Sequence, residues 1–277
     1  MLSLYAVEHQ LVHTLADGER VCGVTLLAGE IYLVRDKERD QVEVCDVTTY
    51  RLQRRLTVPY AILLTDMTSC EHNRCVYIGD HGGECIHRLD VQGAVTRWAV
   101  NGSPVGLSVN AAHNVLVTCY EVRQIKEFSS HGDLLRELTL PDDVIAPHHA
   151  IQTRSGQFIV CGGCFGDPVH SVCMISADGC HIVHSHGGQQ GSDIDQYDEP
   201  RHLAVDDNES VFAADCYDDG VTLLSPTLEY VRQVVSRDQL KGEPWYLYLD
   251  TRQRLLYVAG NKSEKGKWRG HAAVFSV

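Results

Sequence analysis

Cys161 and Cys164 form a CxxC pair followed by His170, Cys173, Cys180 and His181, a set of residue types that suggests metal chemistry. Thiolates and imidazoles at short intervals are the donors of tetrahedral zinc. A second CxxC knuckle is missing, and the apolar runs FIVC and SVCM read as strands. Cys161, Cys164 and Cys173 are therefore expected on separate segments, with no shared ion. The histidines offer another set, His148 and His149 in PHHAI together with His202. A three-histidine zinc site needs ligands from several segments converging at about 2.0–2.1 Å. At most two histidines converge by the pattern, His148 and His202 being the leading pair, and the expectation is that no metal or other cofactor is held.

Two charged stretches complete the inventory. NKSEKGKWRGH, residues 261–271, carries Lys262, Lys265, Lys267, Trp268 and Arg269, a basic and aromatic cluster suited to a few phosphates. GQQGSDIDQYDE, residues 188–199, carries Asp193, Asp195, Asp198 and Glu199 and reads as a solvated acidic insertion. Cys70 and Cys75 flank a hairpin and would face each other as thiols in a reducing compartment. No GxSxG elbow, P-loop or dinucleotide fingerprint occurs.

The elements that position these residues follow from an internal repeat. A unit of roughly 43–45 residues recurs six times, each with four short strand-like segments. The clearest copy is EPRHLAVDDNESVFAADCYDDGVTLLSPTLEYVRQVV, beginning at Glu199. Other copies start near Val21, Pro59, Pro104, Pro147 and Pro244. Turn formers such as Asp206, Asn208, Gly156, Asp178, Gly179, Gly93 and Gly132 separate the segments and favour antiparallel hairpins. Helical periodicity is nowhere sustained.

Four-stranded units at this period predict an all-β, six-bladed β-propeller, a single domain over residues 1–277. The last unit ends after its third strand, and residues 10–15 resemble a spare fourth. That segment is expected to pair with residues 272–277 and close the ring.

In such a ring the residues just before each first strand, together with the loop between the second and third strands, crowd the channel mouth. The alignment places Tyr60, His148, Arg201, His202 and Trp245 in the first group, and Arg35, Asp80, Cys119, Cys161 and Asp215 in the second. Aromatic and arginine anchors of this kind suit peptide or protein recognition. The acidic and basic stretches should open on the same face, so a ligand of mixed charge is expected.

On the segments PRHLAVDDNESVFAAD, PHHAIQTRSGQFIVC, GVTLLSPTLEYVRQVV and HSVCMISADGCHIVHSHGG, the chain resembles NHL-repeat propellers over essentially its whole length. Among these propellers it notably resembles the C-terminal domains of the TRIM-NHL (tripartite-motif) proteins. The resemblance implies a non-catalytic platform for protein ligands or, in some members, RNA, often joined to a ubiquitin-ligase RING and B-box module. These 277 residues contain no such zinc module.

Two enzyme groups share the architecture and imply an alternative, a metal-dependent hydrolase or an amidating-lyase-like enzyme. Amidating lyases hold zinc with channel histidines, which PHHAI resembles locally. Hydrolases of the gluconolactonase and paraoxonase type hold a divalent cation, for which Asp80 and Asp215 are the matching carboxylates here. Their first-blade glutamate motif has no counterpart near Val21–Val24.

Bulk composition narrows the partners. A net charge of −13 repels phosphate backbones unless basic residues gather locally, so RNA is disfavoured against protein. No run of about eighteen apolar residues occurs, so no membrane span is expected. Met1–Gln10 lacks the pattern of a secretory signal. The eleven cysteines, spread mostly through apolar runs, read as reduced core residues of a cytoplasmic, monomeric domain.

Overall fold

The computed structural model describes residues 10–17, 21–35, 40–191, 196–217, 220–240, 242–264 and 267–277. Twenty-four strands and no helix occur among them, so no helix is long and apolar enough to cross a membrane. The strands form six antiparallel sheets of four. Blade 1 comprises β2 (Val21–Leu27), β3 (Glu30–Arg35), β4 (Gln41–Asp46) and β5 (Leu52–Thr57). Blade 2 comprises β6 (Leu64–Cys70), β7 (Cys75–Asp80), β8 (Cys85–Asp90) and β9 (Val95–Ala99). Blade 3 follows with β10 (Pro104–Val109), β11 (Val115–Cys119), β12 (Gln124–Phe128) and β13 (Leu134–Thr139). Blade 4 has β14 (Pro147–Gln152), β15 (Phe158–Gly162), β16 (His170–Ile175) and β17 (Ile182–Gly188). Blade 5 has β18 (Pro200–Val205), β19 (Val211–Asp215), β20 (Gly220–Leu224) and β21 (Tyr230–Val235).

Blade 6 is composite. β22 (Glu243–Asp250), β23 (Leu255–Glu264) and β24 (Lys267–Ser276) are completed by β1 (Leu11–Asp17), which pairs antiparallel with β24 from Leu11 opposite Phe275 to Asp17 opposite His271. The expected closure by the N-terminal segment is thus observed, and it removes two exposed strand edges at once. Buried Asn261 adds a second latch. Its Oδ1 accepts the Val21 N–H at 3.1 Å and its Nδ2 donates to the Val21 carbonyl at 3.2 Å.

The burial pattern explains why these segments are apolar throughout. Every residue of β2, β7 and β16 is buried, because each sheet is covered on both faces by neighbouring blades. The outer strands β5, β9 and β13 are exposed at most positions and carry the polar residues. Six apolar clusters form, one between each pair of neighbouring blades. Full burial of a Phe or Leu side chain in them, such as Phe158 or Leu116, contributes about 1.5–3 kcal/mol.

Turn chemistry also follows the sequence. Asp206 Oδ1 accepts the N–H groups of Asn208 and Ser210, and Gly179 supplies the left-handed φ of 80° that its hairpin needs. The inner strands β2, β6, β10, β14, β18 and β22 contact one another in ring order and line the channel.

Candidate functional site at the channel mouth

Each inner strand is bulged near its start. The pairing register slips at Val21/Gly23, Leu64/Met67, Pro104/Gly106, Pro147/His149, Pro200/His202 and Pro244/Tyr246. A bulge leaves a residue outside the ladder and re-aims side chains. Five of the residues so released, Thr65, Val105, His148, Arg201 and Trp245, line a single pocket of about 300 Å³, while Cys22 of blade 1 packs in the core. His81 and Tyr120, each just past the end of a second strand, complete its wall with Cys164, His202 and Tyr246.

Arg201 is the fixed charge of the pocket. Its guanidinium lies 4.3 Å from the Trp245 ring centroid, and its Nε and Nη2 donate to Glu199 Oε2 at 3.1 and 2.6 Å. Glu199 is buried at a φ of 64° and also accepts the Phe165 N–H. His170 ties this corner together. Its Nδ1 accepts the Glu199 N–H at 3.0 Å while its Nε2 donates to the Cys164 carbonyl at 2.9 Å. Trp245 Nε1 donates to Glu243 Oε2 at 3.4 Å, and burial pushes the Glu243 carboxyl up from its usual value.

The opposite wall is neutral. His148 stacks on Tyr120 with ring centroids 5.7 Å apart, and its Nε2 lies 3.2 Å from Cys164 Sγ. Burial, and then the charge of Arg201, pushes His148 down to about 3, and burial pushes the Cys164 thiol up. The contact therefore joins an imidazole to a thiol and lacks the activated thiolate of a nucleophilic cysteine.

The next residues on the inner strands of blades 2, 4 and 5 meet across the channel. Asp66 from blade 2 meets His202 from blade 5, with Oδ2 3.3 Å from Nε2. Asp66 also accepts the Met67 N–H on Oδ1 and the Leu107 N–H on Oδ2, both at 2.7 Å. His202 stacks on His149 at 3.8 Å between centroids, and His149 Nε2 donates to the Leu107 carbonyl at 2.9 Å. Gly23 and Gly106 occupy the same register. A Cβ at Gly106 would lie 2.2 Å from the His148 carbonyl oxygen, so the absence of a side chain there lets blades 3 and 4 approach.

The structure thus gathers His148, Arg201, His202 and Trp245, and corrects several other placements. Blade 2 begins at Leu64 and not at Pro59, so Tyr60 lies outside the pocket, exposed and left-handed at φ 64°, with Arg97 5.0 Å from its ring. Asp80 and Asp215 are buried and do not line the pocket; in blade 2 it is the next residue, His81, that does, because side chains alternate along a strand. Asp80 accepts the N–H groups of Ile62, Leu63 and Gly83 at 2.8–3.0 Å, and both oxygens of Asp215 accept the Asp198 N–H. Arg35 pairs with Glu43, and Cys119 and Cys161 are core residues.

Neither charged stretch is the simple loop expected. The segments Leu255–Glu264 and Lys267–Ser276 pair as long antiparallel strands, with Lys262 opposite Arg269 and Glu264 opposite Lys267. Lys265 lies outside the described residues, and of Lys262, Lys267 and Trp268 only the backbone is described; Arg269 is exposed. In the acidic stretch Asp193 and Asp195 lie outside the described residues, but Tyr197 and Glu199 are buried, so its C-terminal end is structural.

None of the eleven cysteines is in a disulfide, and Cys70 and Cys75 face across their hairpin. Cys161 and Cys164 diverge, the first to the His149 carbonyl and the second to His148. Sequence reasoning missed Asp66, His81, Tyr120 and Glu199. The first was hidden by the Pro59 offset, the next two by a one-residue slip at the strand end, and Glu199 by its acidic surroundings.

No family model and no curated protein matches the sequence. Solved structures do match in shape. A streptogramin B lyase superposes with a TM-score of 0.67 at 11% identity, covering 95% of this chain and 87% of its own. A catalytically inactive virginiamycin B lyase from Staphylococcus aureus with quinupristin gives 0.66 at 9% identity, covering 97% and 98%. The Cps50 (Swd1) β-propeller domain of Myceliophteria thermophila gives 0.61 at 9% identity, covering 93% and 83%. At such identities the likeness is one of fold, and the chain is a six-bladed β-propeller.

Proposed function

We propose that the protein is a non-catalytic propeller that binds a protein or peptide ligand at the channel mouth, in the pocket between Arg201, Trp245, Tyr120 and His148. The observation that carries this reading is the Arg201 arrangement. Its guanidinium is held beside Trp245 by buried Glu199 before any ligand arrives, so little side-chain entropy is lost on binding. A cavity of about 300 Å³ sits at the small end of ligand pockets, enough for one or two side chains of a peptide.

The neutral Cys164–His148 contact supports a binding role over nucleophilic catalysis. The pairing of Arg201 with Glu199, in a chain of net charge −13, supports a protein ligand over RNA. The resemblance to NHL propellers agrees with a scaffold role, and eleven cysteines with no disulfide among them suit a reducing compartment such as the cytoplasm.

A random peptide display library panned against the purified chain should enrich a consensus motif. That motif should bind Trp245→Ala or Arg201→Ala at least about 30-fold more weakly, the effect of losing about 2 kcal/mol. Enrichment that is indifferent to both substitutions would overturn the assigned pocket. Filter binding of mixed RNA at two salt concentrations provides the counter-test, and is expected to show no salt-sensitive affinity.

A further inference from the structure

We propose that Asp66, His149 and His202 form a zinc site inside the channel, beneath the mouth pocket. One donor atom from each of the three lies within 4.8 Å of the other two, and all three side chains are buried. The site is distinct from the peptide pocket and does not depend on it, although His202 borders both.

The geometry of the Asp66–His202 contact is the first argument. Two ligands at about 2.0–2.1 Å from a tetrahedral zinc ion are about 3.3–3.4 Å apart. Asp66 Oδ2 and His202 Nε2 are 3.3 Å apart, which is long for a charge-assisted hydrogen bond and matches the edge of that tetrahedron. The Leu247 N–H lies 3.4 Å from His202 Nδ1, a long contact that leaves Nε2 facing the carboxylate; ligation through Nε2 moves the ring proton to Nδ1 and gives this contact up.

The second argument is an orphaned atom. His149 is 1% exposed, its Nε2 donates to the Leu107 carbonyl, and its Nδ1 has no hydrogen-bond partner. A buried ring nitrogen without a partner costs about 1–3 kcal/mol unless something fills its lone pair. A metal ion does so.

The third argument is charge. Asp66 is buried at 2% exposure, and among the described residues its one ion-pair partner is His202. Its two backbone donors satisfy lone pairs without supplying a full positive charge. A divalent ion would neutralise the carboxylate. Two imidazoles and one carboxylate are borderline donors that suit zinc and leave a fourth position for water or a ligand atom. The cluster of Asp80, Cys85 and His87 lacks this need, because three backbone N–H groups and His87 already surround Asp80.

The test uses the full chain, stripped with chelator and dialysed against Zn²⁺, with metal content measured by elemental analysis. One zinc per chain is expected for the wild type and for Cys85→Ser, with a raised thermal midpoint. His149→Ala should weaken zinc binding by more than about tenfold. A wild-type measurement covers the case in which that variant does not fold. Replacing zinc by Co²⁺ should give visible d–d absorption without the near-ultraviolet band of a cobalt–thiolate bond. Failure of the wild type to hold stoichiometric zinc would overturn the proposal. So would unchanged zinc binding by a folded His149→Ala, or a thiolate band in the cobalt spectrum.

Discussion

Asp66 and His202 meet at 3.3 Å across the channel although 136 residues separate them, one on blade 2 and the other on blade 5. These blades stand on opposite sides of the six-membered ring, so the contact spans the disc where the inner strands alone would leave a hole. The link continues through Asp66 to the Leu107 N–H of blade 3, and through His202 to His149 of blade 4 and the Leu247 N–H of blade 6. Five of the six blades are thereby joined by one polar plug.

Removing one member of that plug leaves buried groups unpaired. Asp66→Ala orphans the Met67 and Leu107 N–H groups together with His202, and is expected to destabilise the metal-free protein by about 3–5 kcal/mol. Urea unfolding followed by tryptophan fluorescence measures it. A loss below about 1 kcal/mol would show that the plug is not what holds the blades.

Closure of the ring gives a second expectation. Asn261→Ala deletes both hydrogen bonds to the Val21 backbone, N–H and C=O, at a buried position. The expected cost is about 2 kcal/mol, because a buried donor and a buried acceptor both lose their partners. Hydrogen exchange should report faster opening of β2 and β23 than of blades 3 and 4. Uniform exchange around the ring would contradict a latch at this seam.

Two glycines of the plug register should differ in their tolerance of a methyl group. Gly106→Ala would place Cβ 2.2 Å from the rigid His148 carbonyl oxygen, whereas at Gly23 the nearest atom is the flexible Met67 Cγ at 2.8 Å. Gly106→Ala is expected to cost more than about 3 kcal/mol and Gly23→Ala about 1–2 kcal/mol. Thermal midpoints in that order are the check, and the reverse order would refute the close approach of blades 3 and 4.

Asp80 makes stability depend on pH in a stated direction. Burial opposes its charge, but the N–H groups of Leu63 and Ile62, with His87 and the Gly83 N–H, outweigh that and hold the carboxyl below its usual value. A lowered folded value means the contribution is complete above the unfolded carboxylate value of about 3.9 and is lost as pH falls through the folded one. Asp80→Asn should therefore cost about 1–3 kcal/mol at pH 6, with the gap closing below about pH 4. An equal gap at pH 3 and pH 6 would exclude the charged form as the source.

Much of the ring was legible in the chain, because its cause is local. Apolar runs of strand length, Asp and Gly turns at a steady interval and a missing last strand depend on residues near one another in sequence. The mouth pocket was legible only in part. His148, Arg201 and Trp245 share a repeat position that the prolines at 147, 200 and 244 mark, so an internal alignment could collect them. Where the proline marker sits outside the strand, as at Pro59, the alignment chose Tyr60 over Thr65 and concealed Asp66. At the ends of second strands a slip of one residue exchanged His81 for Asp80 and Tyr120 for Cys119, which reverses the face each side chain takes.

By itself the sequence determined the number of blades, the hairpin order within each and the strand that closes the last, since these follow from periodicity and turn chemistry. Only the tertiary structure decided that Glu199 is a buried partner of Arg201 and that His149, not His148, stacks on His202 beside Asp66. The reason is geometric. Bulges rotate neighbouring residues to different depths of the channel, and ring closure brings opposite blades into contact at distances that no spacing along the chain encodes.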